Sequence, residues 1–219
     1  MNQHYEEEYH KTLHGYLYQS PKYYELRAKL AYLNYFKGMN LKNKNILEYG
    51  CGLGQNIYYL NNKGINVQGY DISKFAIGFC KKRGLNASSN LTKKDKFDII
   101  FSRHVLEHLK NPFEILVKIR KNLNKQGTLI LIIPHEIHEK VELKPDINMH
   151  LYCWNFRTIN NILHEAGFKV IKNEILPFGM GYKKLAFLSK ISFGLYDLAT
   201  KLAGRLRGAK EMRIIAVKK

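Results

Sequence analysis

Between Asn43 and Lys172 short apolar runs alternate with stretches of helical period. That alternation predicts βαβ units around a parallel sheet. Asn45 to Tyr49 read as the first strand, followed by a glycine loop, Gly50 to Gly54, and a helix from about Gln55 to Asn61. Ile65 to Tyr70 form the second strand, which ends at Asp71, and Ser73 can cap a helix that runs to about Lys82. A short third strand is expected near Leu85 to Ser88, and a fourth over Phe97 to Phe101. Asn111-Pro112 sets proline at a first helical position, Leu116, Ile119 and Leu123 give that helix its stripe, and Gln126-Gly127 ends it. The apolar run Thr128 to Ile133 suits a fifth strand covered on both faces. Asn155 caps a helix with Phe156, Ile159, Ile162, Leu163 and Ala166 on one side, stopped by Gly167. Phe168 to Asn173 and Met212 to Val217 read as the sixth and last strands.

Two segments lie outside this alternation. Residues 1–40 precede the sheet, and Ser20-Pro21 starts a helix to about Lys37. This segment is expected over the mouth of the site, because ligands of such sheets bind beyond the carboxyl ends of the strands. Between the sixth and last strands, Leu188, Ile191, Leu195, Leu198 and Leu202 recur at helical spacing, interspersed with Lys190, Lys201, Arg205 and Arg207. A basic amphipathic stretch fits either a membrane surface or a helix packed on the sheet as a lid. The expected fold is one doubly wound α/β domain with a seven-stranded, mostly parallel sheet. Its parts are an N-terminal helical cap (1–40), a core (41–173), a helical insertion (174–211) and a last strand (212–219).

Composition narrows the class. A chain of 219 residues, 45% hydrophobic and 25% charged, suits one folded domain rather than a disordered segment. The polar, acidic start Met1 to Glu8 is unlike a signal peptide, and no apolar run approaches a membrane span. Cys51, Cys80 and Cys153 form no CxxC pair, so a reducing cytoplasm is the expected compartment. The net charge of +18 favours anionic partners, although a solvated lysine-rich surface has the same composition. Residues 183–219 hold ten Lys/Arg against Asp197 and Glu211, so +8 of the +18 sits there.

The chemistry-bearing stretch is Glu48-Tyr49-Gly50-Cys51-Gly52-Leu53-Gly54, which ends a strand and opens a helix. Its glycines let the backbone turn and approach a ligand, and the helix start adds unsatisfied N–H groups. Counted from Gly50 or from Gly52, the GxGxxG dinucleotide fingerprint fails, which disfavours a nicotinamide or flavin. Asp71 at the end of the second strand can accept both hydroxyls of a ribose.

The combination resembles the class I methyltransferases that use S-adenosylmethionine (SAM), over roughly Asn43 to Val170. Glu48 to Gly54 match that family's first motif and Gly69-Tyr70-Asp71-Ile72-Ser73 its second. Phe97 to Leu109 look like the fourth strand and following helix of the small-molecule branch that includes the ubiquinone- and menaquinone-pathway enzymes, and Met212 to Val217 like the reversed seventh strand. The resemblance implies that Glu48, Gly50, Gly52 and Gly54 cradle the methionine part of SAM, that Asp71 holds the ribose with Ile72 also in the cofactor site, and that Ser89 and Asn90 hold the adenine. It sets Ser102 and His104 beneath the sulfonium. The third-strand region departs from the family, being short and lacking its usual acid.

Methyl transfer to a nucleophilic oxygen of a small molecule, lipid or saccharide, leaving S-adenosylhomocysteine, is the expected reaction. An RNA methyltransferase and a SAM-binding protein without transferase activity are the alternatives. His135, His138 and His150 follow the fifth strand and are the candidate bases. His104, Glu107 and His108, at i, i+3 and i+4, would share one face of a helix, which is metal-ligand spacing. Some family members bind a divalent ion through an acid-rich form of this segment. With a histidine replacing one acid, no metal is expected here.

Overall fold

The computed structural model describes residues 6–36, 38–136, 148–177 and 181–219, apart from the side chains of 16–19. His138 therefore lies outside the described residues.

Seven strands form one sheet: β1 (Ile46–Tyr49), β2 (Val67–Tyr70), β3 (Ala87–Ser88), β4 (Phe97–Arg103), β5 (Leu123–Pro134), β6 (Phe168–Pro177) and β7 (Lys210–Lys218). Their order is β3-β2-β1-β4-β5-β7-β6. Neighbours from β3 to β5 are parallel, whereas β7 runs antiparallel to both β5 and β6. The strand order reverses between β1 and β4, so a crevice opens beyond their carboxyl ends.

Both faces of the sheet are covered. On one face α5 (Pro112–Asn122) and α6 (Phe156–Glu165) bring Leu116, Ile119, Ile159 and Leu163 onto Leu47, Ile100, Leu129 and Leu131. On the other, α2 (Pro21–Tyr35), α3 (Gln55–Asn61) and α4 (Lys74–Lys82) bring Tyr35, Ile57, Leu60 and Ile77 onto Ile46, Val67, Ile99 and Phe101. Each such side chain, fully buried, contributes about 1.5–3 kcal/mol. The caps read from the sequence form. Ser73 Oγ accepts from Ala76 N–H and Asn155 closes a reciprocal capping box with Thr158; Asn111 Oδ1, before the expected proline, also accepts from Glu114 N–H.

Several boundaries differ from the pattern-based expectation. The chain turns into β5 at Leu123, directly after α5, because Leu123 pairs with Phe97 on the neighbouring strand. An additional helix, α1 (Glu7–Gln19), precedes α2, which stops at Tyr35. The insertion is narrower than 174–211, since β6 continues to Pro177 and β7 begins at Lys210. It consists of a 3₁₀ segment, Lys183–Lys190, and α7 (Phe193–Leu206).

The N-terminal helices are tied down by charge as well as packing. Arg213 on β7 donates to the carbonyls of Asn34 and Tyr35 and pairs with Glu174. The Glu6 carboxylate, just before α1, accepts from Lys74 and Phe75 N–H and from Ser73 Oγ at 3.0–3.2 Å. An acid at the start of α4 offsets the positive end of the helix dipole. These donors, with His10 nearby, hold Glu6 below the usual carboxylate range against the opposing effect of burial.

Candidate functional site

A cavity of about 470 Å³ opens at the carboxyl ends of β1, β2 and β4. That volume is in the range of cofactor and ligand pockets. Glu48, Gly50, Gly52, Asp71, Ile72 and His104 line it, as does His150. Four residues without a sequence motif join them: Tyr9, His10 and His14 from α1 and Arg27 from α2. Their only signal in the sequence is membership of an N-terminal helical segment at the mouth of the site.

The glycine loop forms the floor. Gly50 and Gly52 both have positive φ, at +79° and +50°, which L side chains rarely adopt. A Cβ on Gly50 would come within 2.2 Å of Val105 Cγ2, whereas one on Gly52 would meet open space. Gly50 thus lets the loop sit against the turn after β4, and Gly52 leaves backbone bare toward the cavity. Gly54, at φ +72°, is the N-cap of α3 and packs on Leu85 and Cys80 rather than on the cavity wall.

Two carboxylates face the loop. Glu48 is 4% exposed and accepts from Asn56 Nδ2 at 2.5 Å, while its Oε2 is buried without a hydrogen-bond partner. Burial pushes this carboxyl up to about 8, against the opposing effect of Asn56 and Arg103. An unpartnered acceptor at that depth is costly unless a donor arrives. Asp71 accepts from Gly52 N–H at 2.7 Å through Oδ2 and from Ser73 N–H at 2.9 Å through Oδ1. It therefore joins the glycine loop to the start of α4, and each oxygen keeps a second lone pair. Burial raises Asp71, and those backbone donors oppose the rise.

A buried charged network reaches the cavity wall through Arg103 and His104. Arg103 Nη2 lies 2.9 Å from Glu211 Oε1, and Arg103 Nε donates to Tyr35 Oη at 2.9 Å. Tyr35 Oη donates to Glu211 Oε2 at 2.8 Å, and His104 Nε2 stands 2.8 Å from Glu211 Oε1. Burial alone would raise Glu211, but Arg103, His104 and Tyr35 hold it at about 2. Burial, then Arg103, pushes His104 down to about 4. His104 has φ +51°, a costly conformation outside glycine that is held where a side chain must be aimed.

His104, Glu107 and His108 do not share a helical face. His104 follows β4 in a left-handed conformation, and only Leu106–His108 form a 3₁₀ turn, so His104 turns to Glu211. Glu107 and His108 are joined instead by His150, with ligand atoms of the three within 4.8 Å of one another. Glu107 is fully buried, both its oxygens lack a hydrogen-bond partner, and burial pushes it up to about 7. Burial holds His108 down at about 4. These three could receive a metal ion, although the set includes one carboxylate that burial favours in its neutral form. His150 Nδ1 stands 2.8 and 3.0 Å from the two oxygens of Glu136, whose hydrogen bond orients the ring.

The remaining predicted residues lie away from the cavity wall. Ser102 is buried and donates to the Tyr49 carbonyl at 2.9 Å, which locks β4 to β1. Ser89 and Asn90 are exposed beyond the short β3. His135 stands at the end of β5, its backbone N–H on the Lys210 carbonyl. No residue of 183–207 lines the cavity, where α1 takes the covering position instead.

Known proteins share this architecture. A family model described as a methyltransferase domain matches residues 18–173. The ribosomal RNA small subunit methyltransferase A of Mesomycoplasma hyopneumoniae is 29% identical over 117 residues, which cover 50% of this chain and 44% of that one. The tRNA U34 carboxymethyltransferase of Vibrio campbellii is 32% identical over 104 residues, 42% of this chain and 32% of the other. The chain thus spans less than half the length of these curated relatives. Among solved structures, the phosphoethanolamine N-methyltransferase 2 of Haemonchus contortus, in complex with phosphomonomethylethanolamine and S-adenosylhomocysteine, superposes with a TM-score of 0.62. It is 20% identical, and the match covers 87% of this chain and 52% of that one.

Proposed function

This chain belongs to the methyltransferase-domain family, whose methyl donor is SAM, and on that premise we propose that it moves a methyl group to a nucleophilic oxygen of a small molecule, lipid or saccharide. The observation that carries the reading is the pairing of a bare glycine loop with the unpartnered Glu48 Oε2 in one cavity. The methionine part of SAM offers an ammonium and a carboxylate. Glu48 has the acceptor for the first, and Arg27 on the same wall has the charge for the second. Asp71 would accept from the ribose hydroxyls, and Ile72, 43% exposed on the rim, offers an apolar face to the base.

When bound, SAM supplies an already activated methyl group on its sulfonium. The protein's work is then mainly alignment and exclusion of water, for which α1 roofs the cavity. His150 is the base this reading assigns. With Glu136 holding Nδ1, Nε2 is the basic nitrogen, able to take the proton of a hydroxyl acceptor.

A second reading, methylation of RNA, draws on the two RNA-modifying relatives and on the charge of +18. Incubation with methyl-tritiated SAM and separate pools of total RNA, lipid and soluble metabolites tests the proposal. Label entering lipid, saccharide or small molecules supports it. Label confined to RNA transfers the assignment to the second reading. Titration with SAM, S-adenosylhomocysteine and NAD is the companion measurement, and tight NAD binding without SAM binding overturns the cofactor assignment.

A further inference from the structure

Helix α7 turns two chemically opposite faces outward and inward. Its inner face is Tyr196, Thr200 and Gly204, all buried, with Tyr196 packed against Tyr23, Tyr24, Leu30 and Leu53. On the opposite face Leu195, Leu198, Leu202 and Leu206 recur every three or four residues, and Phe187 in the preceding 3₁₀ segment and Ile191 just after it are exposed as well. All six are exposed, from 39% at Leu195 to 90% at Leu206. Fourteen large apolar side chains are exposed among the described residues, so this one segment carries six of them. Such a contiguous row marks a contact surface rather than scattered surface leucines. At 3.6 residues per turn, Lys201 and Arg205 fall along one edge of the row, and Lys190 is exposed at the end of the 3₁₀ segment before it. Between Lys183 and Lys210 there are seven Lys/Arg and a single acid, Asp197, which pairs with Lys201.

We propose that the outer face of α7 and of the 3₁₀ segment before it docks the protein on an anionic membrane surface. The leucine row would enter the boundary between headgroups and acyl chains while the bordering cations meet lipid phosphates. Long basic side chains can reach the headgroups from the edge of an apolar stripe. A second copy of the chain fits the face poorly, because it would oppose two basic edges on molecules each carrying +18. RNA would satisfy the cations but leave the aliphatic row in water, with Phe187 the only aromatic in the row for a base to stack on. No helix among the described residues is long and apolar enough to cross a membrane, so the contact is interfacial. The inner face ties this contact to the glycine loop: Tyr24 packs beside Tyr196 and donates to the Leu53 carbonyl at 2.8 Å.

Co-sedimentation with vesicles of phosphatidylcholine, with and without phosphatidylglycerol, tests the proposal. The expected result is binding to the anionic vesicles only, weakened by raised salt. Leu198→Ser/Leu202→Ser/Leu206→Ser should weaken it at least about tenfold, and Lys190→Gln/Arg205→Gln by a comparable factor. These side chains are exposed, so circular dichroism and SAM affinity of both variants should match the parent. Absence of vesicle binding at low salt, or binding undiminished in the triple-leucine variant, overturns the proposal. So does a dimer in analytical ultracentrifugation that the leucine substitutions dissociate, since the row would then be a protein interface. SAM titration of the same samples separates failure of this inference from failure of the methyltransferase reading.

Discussion

Arg103 and Glu211 stand 108 residues apart in the chain and meet as a buried ion pair of 2.9 Å. Arg103 ends the strand that walls the cavity, and Glu211 opens the antiparallel β7 two strands away. Tyr35 from the N-terminal helices bonds to both. One buried carboxylate thereby joins the cap, the site strand and the last strand.

Glu211→Gln should destabilise the fold by about 3–5 kcal/mol, because it leaves the Arg103 guanidinium buried without its counter-charge. The acid response should change too. With its folded value at about 2, below the ordinary 4.5, Glu211 stabilises fully above about pH 4.5. That contribution is lost as pH falls toward 2. Urea unfolding at a series of pH values measures both effects. A variant as stable as the parent, with the same acid limb, would show that the pair contributes nothing.

Glu48 links cofactor affinity to pH. Its carboxyl is pushed up to about 8 before a ligand arrives, and a bound ammonium would favour the ionised form. SAM binding below pH 8 should therefore release up to one proton, and affinity should rise by up to about tenfold per pH unit as pH approaches 8. The rise levels off near pH 8, where Glu48 is ionised before binding, and reverses where the ligand's own ammonium loses its proton. Calorimetry in buffers of different ionisation enthalpy counts the protons, and Glu48→Gln should abolish the release. Proton uptake, or release unchanged in the variant, would place the ammonium elsewhere.

Asp71→Ala should weaken SAM binding by about 1–3 kcal/mol through loss of a charged acceptor. The side chain also accepts from Gly52 and Ser73 N–H, so the variant should lose stability as well. Asp71→Asn keeps one acceptor oxygen and should recover part of the stability but little of the affinity. Thermal melts and SAM titrations on both variants separate the two roles. Full affinity in Asp71→Ala would remove Asp71 from the cofactor site.

Metal removal should leave activity in place. Glu107, His108 and His150 converge closely enough to receive an ion, but burial favours Glu107 in its neutral form. Two imidazoles and one carboxylate supply at most one negative charge against the dehydration of a divalent cation. Dialysis against EDTA followed by a methyl-transfer assay, with and without added magnesium or zinc, checks this. Loss of activity that one of those ions restores would make the cluster a metal centre.

The alternation of apolar runs with helical periods determined the sheet, because a strand covered on both faces must be apolar and its flanking helices must be amphipathic. Glu48 to Gly54 and Asp71 marked the cofactor end of the cavity for a similarly local reason: a tight strand-to-helix turn beneath a ligand needs glycine in a short contiguous segment. The caps at Ser73 and Asn155 were legible because a cap is satisfied within three residues. What the tertiary structure alone decided are contacts between distant segments. His150 joins Glu107 and His108 because the chain after β5 returns over the turn after β4, which their own spacing does not encode. His104 leaves that group because its left-handed backbone turns it to Glu211, more than a hundred residues away. Arg27, His10 and His14 carry no motif, and reach the cavity only because the N-terminal helices are tied to β7 and α4. The amphipathic pattern of 183–207 was plain in the sequence, but periodicity alone is the same for a buried stripe and an exposed one. Only packing decided that Tyr196, Thr200 and Gly204 face the protein while the leucines of α7 face outward.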